Sequence, residues 1–361
     1  MNNIKVLHTE WSDGWGGQEI RIIGEMIALR DRGVEVCLAC RDHALIKQKA
    51  IENNIEVFTL PFRGNVDFKT MFALMKIVKK SNVDIINTHS GKDTWVGGLA
   101  AKFSGAKFIR TRHLSNRIRS SKLNFINELA DYIFTTGESV KNDMIQYNRI
   151  NPENIMSIPT GIDDKIFDPA LYNKEEERKK LNIKENEIAI GIVAVIRRFK
   201  RHDLFVEAAE QLIKKHDNLK FFIAGDGPVK DEIQQMIINK KLEKNIILLG
   251  HVNEPARVLS ALDIFTLTSD SKEGVPQSVM QALLMNKKVV ATDAGSTRDL
   301  FKDDNFKLIA TDNLNDIVNN IDFYINNTKE VSTRDFIVDH FSKSVMVEKT
   351  INIYNKLKEI S

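Results

Sequence analysis

The chain has 361 residues, 42% hydrophobic and 28% charged, with a formal net charge of +3. That length exceeds what one hydrophobic core usually serves and points to two domains, the apolar content excludes a disordered chain, and the charge is too small to decide a partner. The only cysteines, Cys37 and Cys40, share one apolar stretch without the further ligands a zinc site needs, and read as buried thiols in a reducing compartment.

From the N-terminus, the sequence runs directly into a strand-like pattern with no signal-peptide core, and no stretch approaches the roughly 20 apolar residues of a membrane span, so a cytoplasmic chain is expected. Short apolar runs rich in β-branched residues alternate with segments of helical period, the pattern of strand-helix-strand units around a parallel sheet. The first half gives strands at 4–9, 34–39, 55–60, 83–88, 107–111 and 132–136, with the clearest helix at 18–30 closed by Gly33. In such a sheet ligands bind beyond the carboxyl ends of the strands, so the loops there carry the candidates. After the first strand, Asp13-Gly14-Trp15-Gly16-Gly17-Gln18-Glu19 opens a helix. It can set backbone NH groups and a helix dipole against an anion, or it can be a flexible turn. His89 and His113 fall at strand ends. His113 lies in a stretch, 107–122, with six Lys or Arg and no acid, including Arg112, Arg117 and Arg119. That stretch suits a phosphorylated acceptor, an anionic membrane surface or a solvated face. It lacks the interleaved aromatics of a single-strand nucleic-acid binder.

Residues 158–180, with Pro159, Gly161, Pro169 and the charged run from Lys174 to Lys180, read as a linker. Beyond it, strands are expected at 188–195, 220–224, 246–249, 264–268, 288–291 and 307–309, and a terminal helix at 344–360. The loop Arg197-Arg198-Phe199-Lys200-Arg201-His202 packs four cations into five positions. A diphosphate would relieve that repulsion, and a solvated turn is the alternative. Ala224-Gly225-Asp226-Gly227-Pro228 and Ser269-Asp270-Ser271-Lys272-Glu273-Gly274-Val275-Pro276 each allow close backbone approach. Glu273 could accept hydrogen bonds from sugar hydroxyls or cap the next helix, on which Gln281 sits. A fifth loop, Asp293-Ala294-Gly295-Ser296-Thr297-Arg298-Asp299, offers NH and hydroxyl donors or is an ordinary helix start.

Taken in this order, the loops resemble the family-four, group 1 type of GT-B glycosyltransferases. Gly16-Gly17-Gln18-Glu19, Ala130-Asp131-Tyr132-Ile133 with Thr136-Gly137-Glu138-Ser139, Ile158-Pro159-Thr160-Gly161-Ile162-Asp163, Ala224-Gly225-Asp226-Gly227-Pro228, Glu273-Gly274-Val275-Pro276 and Gly295-Ser296-Thr297-Arg298-Asp299 carry the likeness. The resemblance implies two Rossmann-like, doubly wound α/β domains facing across a cleft. The acceptor domain would be 1–165, the nucleotide-sugar domain 166–343, with a helix at 344–361 packing back onto the first. It implies a retaining enzyme that uses a nucleotide sugar, usually a UDP-sugar, with no cofactor and no metal. Lys200 and an arginine of the Arg197-Arg198 pair would hold the diphosphate, Glu273 would bind donor-sugar hydroxyls, and Gly17 would approach the phosphate. Gly225, Gly274, Val275, Pro276 and Gln281 complete the implied donor site, and His113 is similar to a histidine beside the transferred sugar. The implied partners are a glycan or lipid-linked acceptor, as in surface polysaccharide or lipopolysaccharide assembly, and an anionic inner membrane surface, but no nucleic acid.

Three departures stand out. Gln281 replaces the family's second glutamate, Val195 stands where its usual arginine precedes the lysine, and Ser296 and Asp299 replace the second glycine and the acid of the fifth loop. Two other readings follow: a nucleotide-sugar epimerase on the same fold, and a non-catalytic sugar-nucleotide-binding subunit. A nicotinamide-dependent dehydrogenase fits poorly, because the first glycine loop lacks G-x-G-x-x-G spacing.

Overall fold

The computed structural model describes residues 4–119, 122–270, 273–302 and 304–359, with 122–124 described by backbone alone. The chain divides into two compact units. One comprises the residues up to Gly161 together with those from Lys343 onward, and the other is the uninterrupted segment Ile162–Ser342.

Unit 1 carries β1 (Lys5–Glu10), β2 (Glu35–Cys40), β3 (Glu56–Thr59), β4 (Ile85–Thr88), β5 (Lys107–Arg112), β6 (Tyr132–Thr135) and β7 (Ile155–Ser157). All pair in parallel, in the order β3-β2-β1-β4-β5-β6-β7. β7 is absent from the sequence expectation because three residues are too few to show a period; only its pairing with β6, Ile155 to Ile133 through Ser157 to Thr135, defines it. The C-terminal helix Lys343–Glu359 belongs to this unit, and its Met346, Val347, Ile353, Tyr354 and Leu357 join Ile4, Val6, Leu29, Ile85, Ile109 and Phe134 in one buried cluster. Of the expected helix, residue 360 lies outside the described residues. Cys37 and Cys40 are both unpaired and buried, and burial pushes each thiol up to about 12.

Unit 2 carries β8 (Ile188–Val193), β9 (Leu219–Ala224), β10 (Ile246–Gly250), β11 (Ile264–Leu267), β12 (Lys288–Thr292) and β13 (Lys307–Ile309). These are also parallel, in the order β10-β9-β8-β11-β12-β13. Strands covered on both faces need apolar side chains throughout, which is why Phe221-Phe222-Ile223-Ala224 is one buried run. The segment starts and ends at one place: Ile162 pairs with Ser342, and its NH donates to the Phe341 carbonyl at 2.9 Å.

The reading of 158–180 as a linker needs correction. Lys174–Lys180 is a helix, capped by the Asn173 side chain, which accepts from the NH groups of Glu175 at 3.0 Å and Glu176 at 3.2 Å. Its acids occupy the first turn and its cations the last, the sense the helix dipole favours. Arg178 turns inward, donating to Asp263 at 2.9 Å and to the Lys184 carbonyl at 2.9 Å. The charge run therefore caps and anchors a helix of unit 2.

Each sheet changes winding direction once, between β1 and β4 in unit 1 and between β8 and β11 in unit 2. The loops after these strand pairs flank the crevice where such sheets bind ligands.

Candidate active site

In unit 2 the loops after β8 and β11 are stitched together. The Asp270 NH donates to the Phe199 carbonyl at 2.8 Å, and the Thr268 hydroxyl is shared between the carbonyls of Lys200 and Arg201, each at 2.9 Å. The consequence is that Lys200 Nζ reaches Glu273 Oε1 in a direct ion pair, the two side chains only 14% and 9% exposed. The same carboxylate oxygen accepts from Ser269 Oγ at 2.5 Å. Glu273 therefore faces the lysine. It does not cap the helix Gln277–Leu284, whose N-cap position is Pro276.

A glycine fixes this arrangement. Gly295 has φ +57°, and a Cβ there would sit 1.8 Å from the Glu273 carbonyl oxygen, which also accepts from the Ser296 NH at 3.3 Å. Only glycine combines a left-handed backbone with that approach. The fifth loop thus carries the backbone of Glu273, a role its own residues did not announce in the sequence. It opens onto a single 3-10 turn, Thr297–Leu300, in place of a full helix, and Arg298 pairs with Asp293.

Gly225 and Gly227 also need close approach, and what approaches is the chain itself. A Cβ at Gly225 would lie 1.9 Å from the Ala194 carbonyl oxygen, and one at Gly227 2.4 Å from that of Ile196. Of the paired arginines, Arg198 donates to Glu232 at 2.7 Å, while Arg197 is exposed and makes no side-chain hydrogen bond or ion pair among the described residues. Gln281 is partly exposed on its helix, Gly274 is partly exposed, and Val275 and Pro276 are buried. Val195 is exposed. Ser271 and Lys272 lie outside the described residues. His202, which opens the helix His202–Ile213, is buried with neither ring nitrogen partnered among the described residues, and burial pushes it down to about 4.

In unit 1 the carboxyl ends of β1, β4 and β5 gather polar groups that a core would otherwise reject. Glu10 is fully buried, accepting from the Ser12 NH at 2.7 Å and the Gln18 side chain at 2.5 Å, and burial with nearby Asp93 pushes it up to about 8. Asp93 accepts from Thr9 Oγ1 at 2.6 Å and from the NH groups of His89 at 2.9 Å and Ser90 at 2.8 Å. His8, His89 and His113 form a file: His8 Nδ1 lies 2.9 Å from His89 Nε2, and His89 Nδ1 lies 2.9 Å from His113 Nε2. The sequence reading named His89 and His113 separately and passed over His8, Glu10 and Asp93. His8 and Glu10 share a signal, polar residues closing an apolar strand, since β1 ends His8-Thr9-Glu10 and all three are buried; Asp93 instead sits in the first turn of the helix Gly91–Ser104, where Ser90-x-x-Asp93 is a capping box.

The glycine loop is more open. The Gly16 NH donates to Glu19 at 2.8 Å, and Gly17 begins the helix Gly17–Arg30 with nothing within 4 Å of where a Cβ would stand. The basic stretch from Lys107 to Lys122 requires correction as a surface. Arg110 and Arg112 lie within β5 and are buried, burial pushing each down to about 10, and Arg112 donates to the Asn116 carbonyl and side chain, both at 2.8 Å. Arg117 is exposed but pairs with Asp143 at 3.2 Å, and Arg119 is exposed. Ser120 and Ser121, and the side chain of Lys122, lie outside the described residues.

Two family models match the chain, Glycosyltransferase Family 4 over residues 15–166 and Glycosyl transferases group 1 over residues 173–335. The chain is a group 1 glycosyltransferase of the family-4 type. This glycosyltransferase is 25% identical to the Escherichia coli UDP-Gal:alpha-D-GlcNAc-diphosphoundecaprenol alpha-1,3-galactosyltransferase, over 99% of this chain and 95% of that one. It is 33% identical to the Staphylococcus aureus poly(ribitol-phosphate) alpha-N-acetylglucosaminyltransferase over 58% of this chain, a match spanning 41% of that protein. Among solved structures, a Rickettsia africae glycosyltransferase superposes with TM-score 0.91 at 21% identity, covering all of both chains. Anabaena HepE in complex with UDP superposes with TM-score 0.85 at 19% identity, covering 98% of this chain and 100% of that one. The glycosyltransferase therefore has the GT-B fold, two Rossmann-like parallel-sheet domains.

Proposed function

We propose that this enzyme is a retaining, metal-independent hexosyl- or N-acetylhexosaminyltransferase. It moves a sugar from a UDP-sugar held by unit 2 to a glycan or lipid-linked acceptor held by unit 1, in surface polysaccharide or lipopolysaccharide assembly on the cytoplasmic side of a membrane. The observation that carries this reading is the largely buried Lys200–Glu273 pair at the switch point of unit 2. An ammonium group has three donors, and one is committed to Glu273, so two remain for diphosphate oxygens. Arg197, which has no side-chain partner among the described residues, supplies a forked second cation, whereas Arg198 is spent on Glu232. As the bond to the leaving diphosphate breaks, negative charge grows on oxygens these cations already face, and fixed charge lowers the barrier without reorganisation. Among the described residues both hydrogen-bonding contacts of the Glu273 carboxylate use Oε1, which leaves Oε2 for donor-sugar hydroxyls. The alpha linkages named for the E. coli and S. aureus relatives support retention, and the E. coli relative's UDP-Gal and HepE's bound UDP support a uridine donor.

Incubating the enzyme with UDP-sugars and a lipid-diphosphate-linked acceptor, with products separated by mass, tests the reading. A glycosylated acceptor, formed undiminished in EDTA, is expected. Conversion of the donor with no acceptor product would overturn it in favour of an epimerase.

Gly17 offers an independent check. Nothing in the fold demands a glycine there, so Gly17→Ala should leave the melting temperature unchanged or slightly raised, since alanine at the first helical position lowers unfolded-chain entropy. If diphosphate passes over this backbone, the added methyl lowers transfer by about tenfold or more. Wild-type transfer would remove Gly17 from the site.

Membrane contact fits the helix Phe68–Ser81 better than the stretch after β5. Phe68 and Phe72 are 63% and 61% exposed, Val66 is 78% exposed, and Arg63, Lys69, Lys76, Lys79 and Lys80 are exposed around them. Asp67, the single acid between residues 60 and 83, is turned inward to cap the helix, accepting from the Thr70 NH at 3.1 Å. A segment with exposed aromatics and cations and no exposed acid of its own matches an anionic lipid surface. Among the described residues no helix is long and apolar enough to cross a membrane. Cosedimentation with phosphatidylglycerol vesicles should fall about tenfold in a Phe68→Ser, Phe72→Ser double variant; unchanged sedimentation would rule out this face.

A further inference from the structure

The file His8–His89–His113 has a direction, and the direction matters. The rings of His8 and His89 stack at 5.2 Å with 9° between planes, and those of His89 and His113 lie 5.1 Å apart at 34°. His8 and His89 are buried, and only His113 is partly exposed. Burial holds all three rings in their neutral form, and the cations Arg21, Arg110 and Arg112 act in the same sense on His113. A neutral imidazole has one NH and one acceptor nitrogen. His89 must therefore donate to one neighbour and accept from the other, which leaves two possible arrays.

In one array, His113 Nε2–H donates to His89 Nδ1, and His89 Nε2–H donates to His8 Nδ1. That places the proton of His8 on Nε2, which is buried with no partner among the described residues. In the other, His8 Nδ1–H donates to His89 Nε2, and His89 Nδ1–H donates to His113 Nε2. His8 Nε2 is then a bare acceptor, and the orphan is a lone pair in place of an NH. Buried NH groups without partners are rarer than under-used acceptors, so the second array is favoured.

We propose that His8 and His89 are positioning residues that lock His113 as its Nδ1–H tautomer, so that this ring meets substrate as a neutral hydrogen-bond donor. His113 Nε2 is occupied as an acceptor within the file, which denies the ring a role as general base at that atom. What remains is Nδ1–H, suited to a sugar hydroxyl or carbonyl oxygen. The functional meaning rests on the proposed transfer reaction with His113 beside the transferred sugar, as the family resemblance implies; the tautomer itself does not.

The test uses the full chain labelled with 15N-histidine, with long-range proton–nitrogen correlation of the imidazoles and His113 assigned by its loss in His113→Gln. A protonated Nδ1 and bare Nε2 on His113 are expected, and a proton on Nε2 overturns the proposal. His89→Leu should mix the two tautomers of His113 and lower kcat by about 10- to 100-fold, the range typical when an outer partner of a functional histidine is removed. UDP affinity should stay unchanged. His89→Gln restores a side-chain NH donor and should keep both the tautomer and most of the kcat. An unaltered tautomer in His89→Leu overturns the lock. If the tautomer behaves as expected but His113→Gln transfers sugar at the wild-type rate, the lock stands and the placement of His113 beside the sugar falls.

Discussion

Replacing Glu273 by alanine is expected to lower transfer by about 100- to 1000-fold while leaving UDP affinity unchanged or improved. In the free enzyme its carboxylate engages Lys200 and Ser269 through one oxygen, Oε1, and under the proposed reading its other oxygen meets the sugar. Removing it deletes the sugar contact but releases the Lys200 ammonium entirely to the diphosphate. Nucleotide binding and turnover should therefore separate. Leaving Lys200 unpaired costs about 1–3 kcal/mol of stability, too little to unfold a domain with a core of this size. Glu273→Gln, which keeps the shape and can still bond Ser269, separates lost charge from lost volume. Near-normal transfer by the alanine variant would remove Glu273 from the site.

Lys200→Ala should behave in the opposite way. The charge-assisted bonds it would give to a diphosphate are worth about 1.5–3 kcal/mol, so UDP affinity measured by titration calorimetry should weaken by about 10- to 150-fold, with transfer falling at least as far. Glu273 would then be a carboxylate without its cation facing an incoming polyanion, which adds repulsion to the lost attraction. The effect should shrink in high salt less than that of Arg197→Ala, because Lys200 is 14% exposed and Arg197 is on the surface. Unchanged UDP affinity would place the diphosphate elsewhere.

Much of the architecture was legible in the sequence because parallel strands buried on both faces are continuous apolar runs, and runs such as 188–193 and 219–224 stand out wherever they occur. The loops after them were legible for the same reason, since a strand's end locates its loop. What escaped detection depends on tertiary pairing. β7 exists only through its register with β6. The cations of β5 looked like a surface because composition cannot tell a strand residue facing the interior from one facing water; Arg110 is 4% exposed. The run Lys174 to Lys180 looked like a linker because its charge outweighed its cap, although Asn173 with Glu175, Glu176 and Glu177 in the turn after it was a readable helix start. In the site, Lys200 and Glu273 could each be chosen from their loops. Their contact could not, because it spans 73 positions and depends on Gly295 making room for the Glu273 carbonyl. The histidine file gathers positions 8, 89 and 113 only because β4 lies between β1 and β5 in the sheet.

The adjacency of Ile162 and Ser342 bears on how such enzymes can be rebuilt. A segment whose two ends already meet is exchanged at no cost in loop closure, so residues 162–342 form a cassette. A relative's corresponding segment could be spliced between Gly161 and Lys343 without altering the length of either partner. Under the proposed division of labour, such chimeras would recombine donor choice and acceptor choice independently, giving a lineage a route to new glycans by reassortment of halves in place of stepwise change within one site.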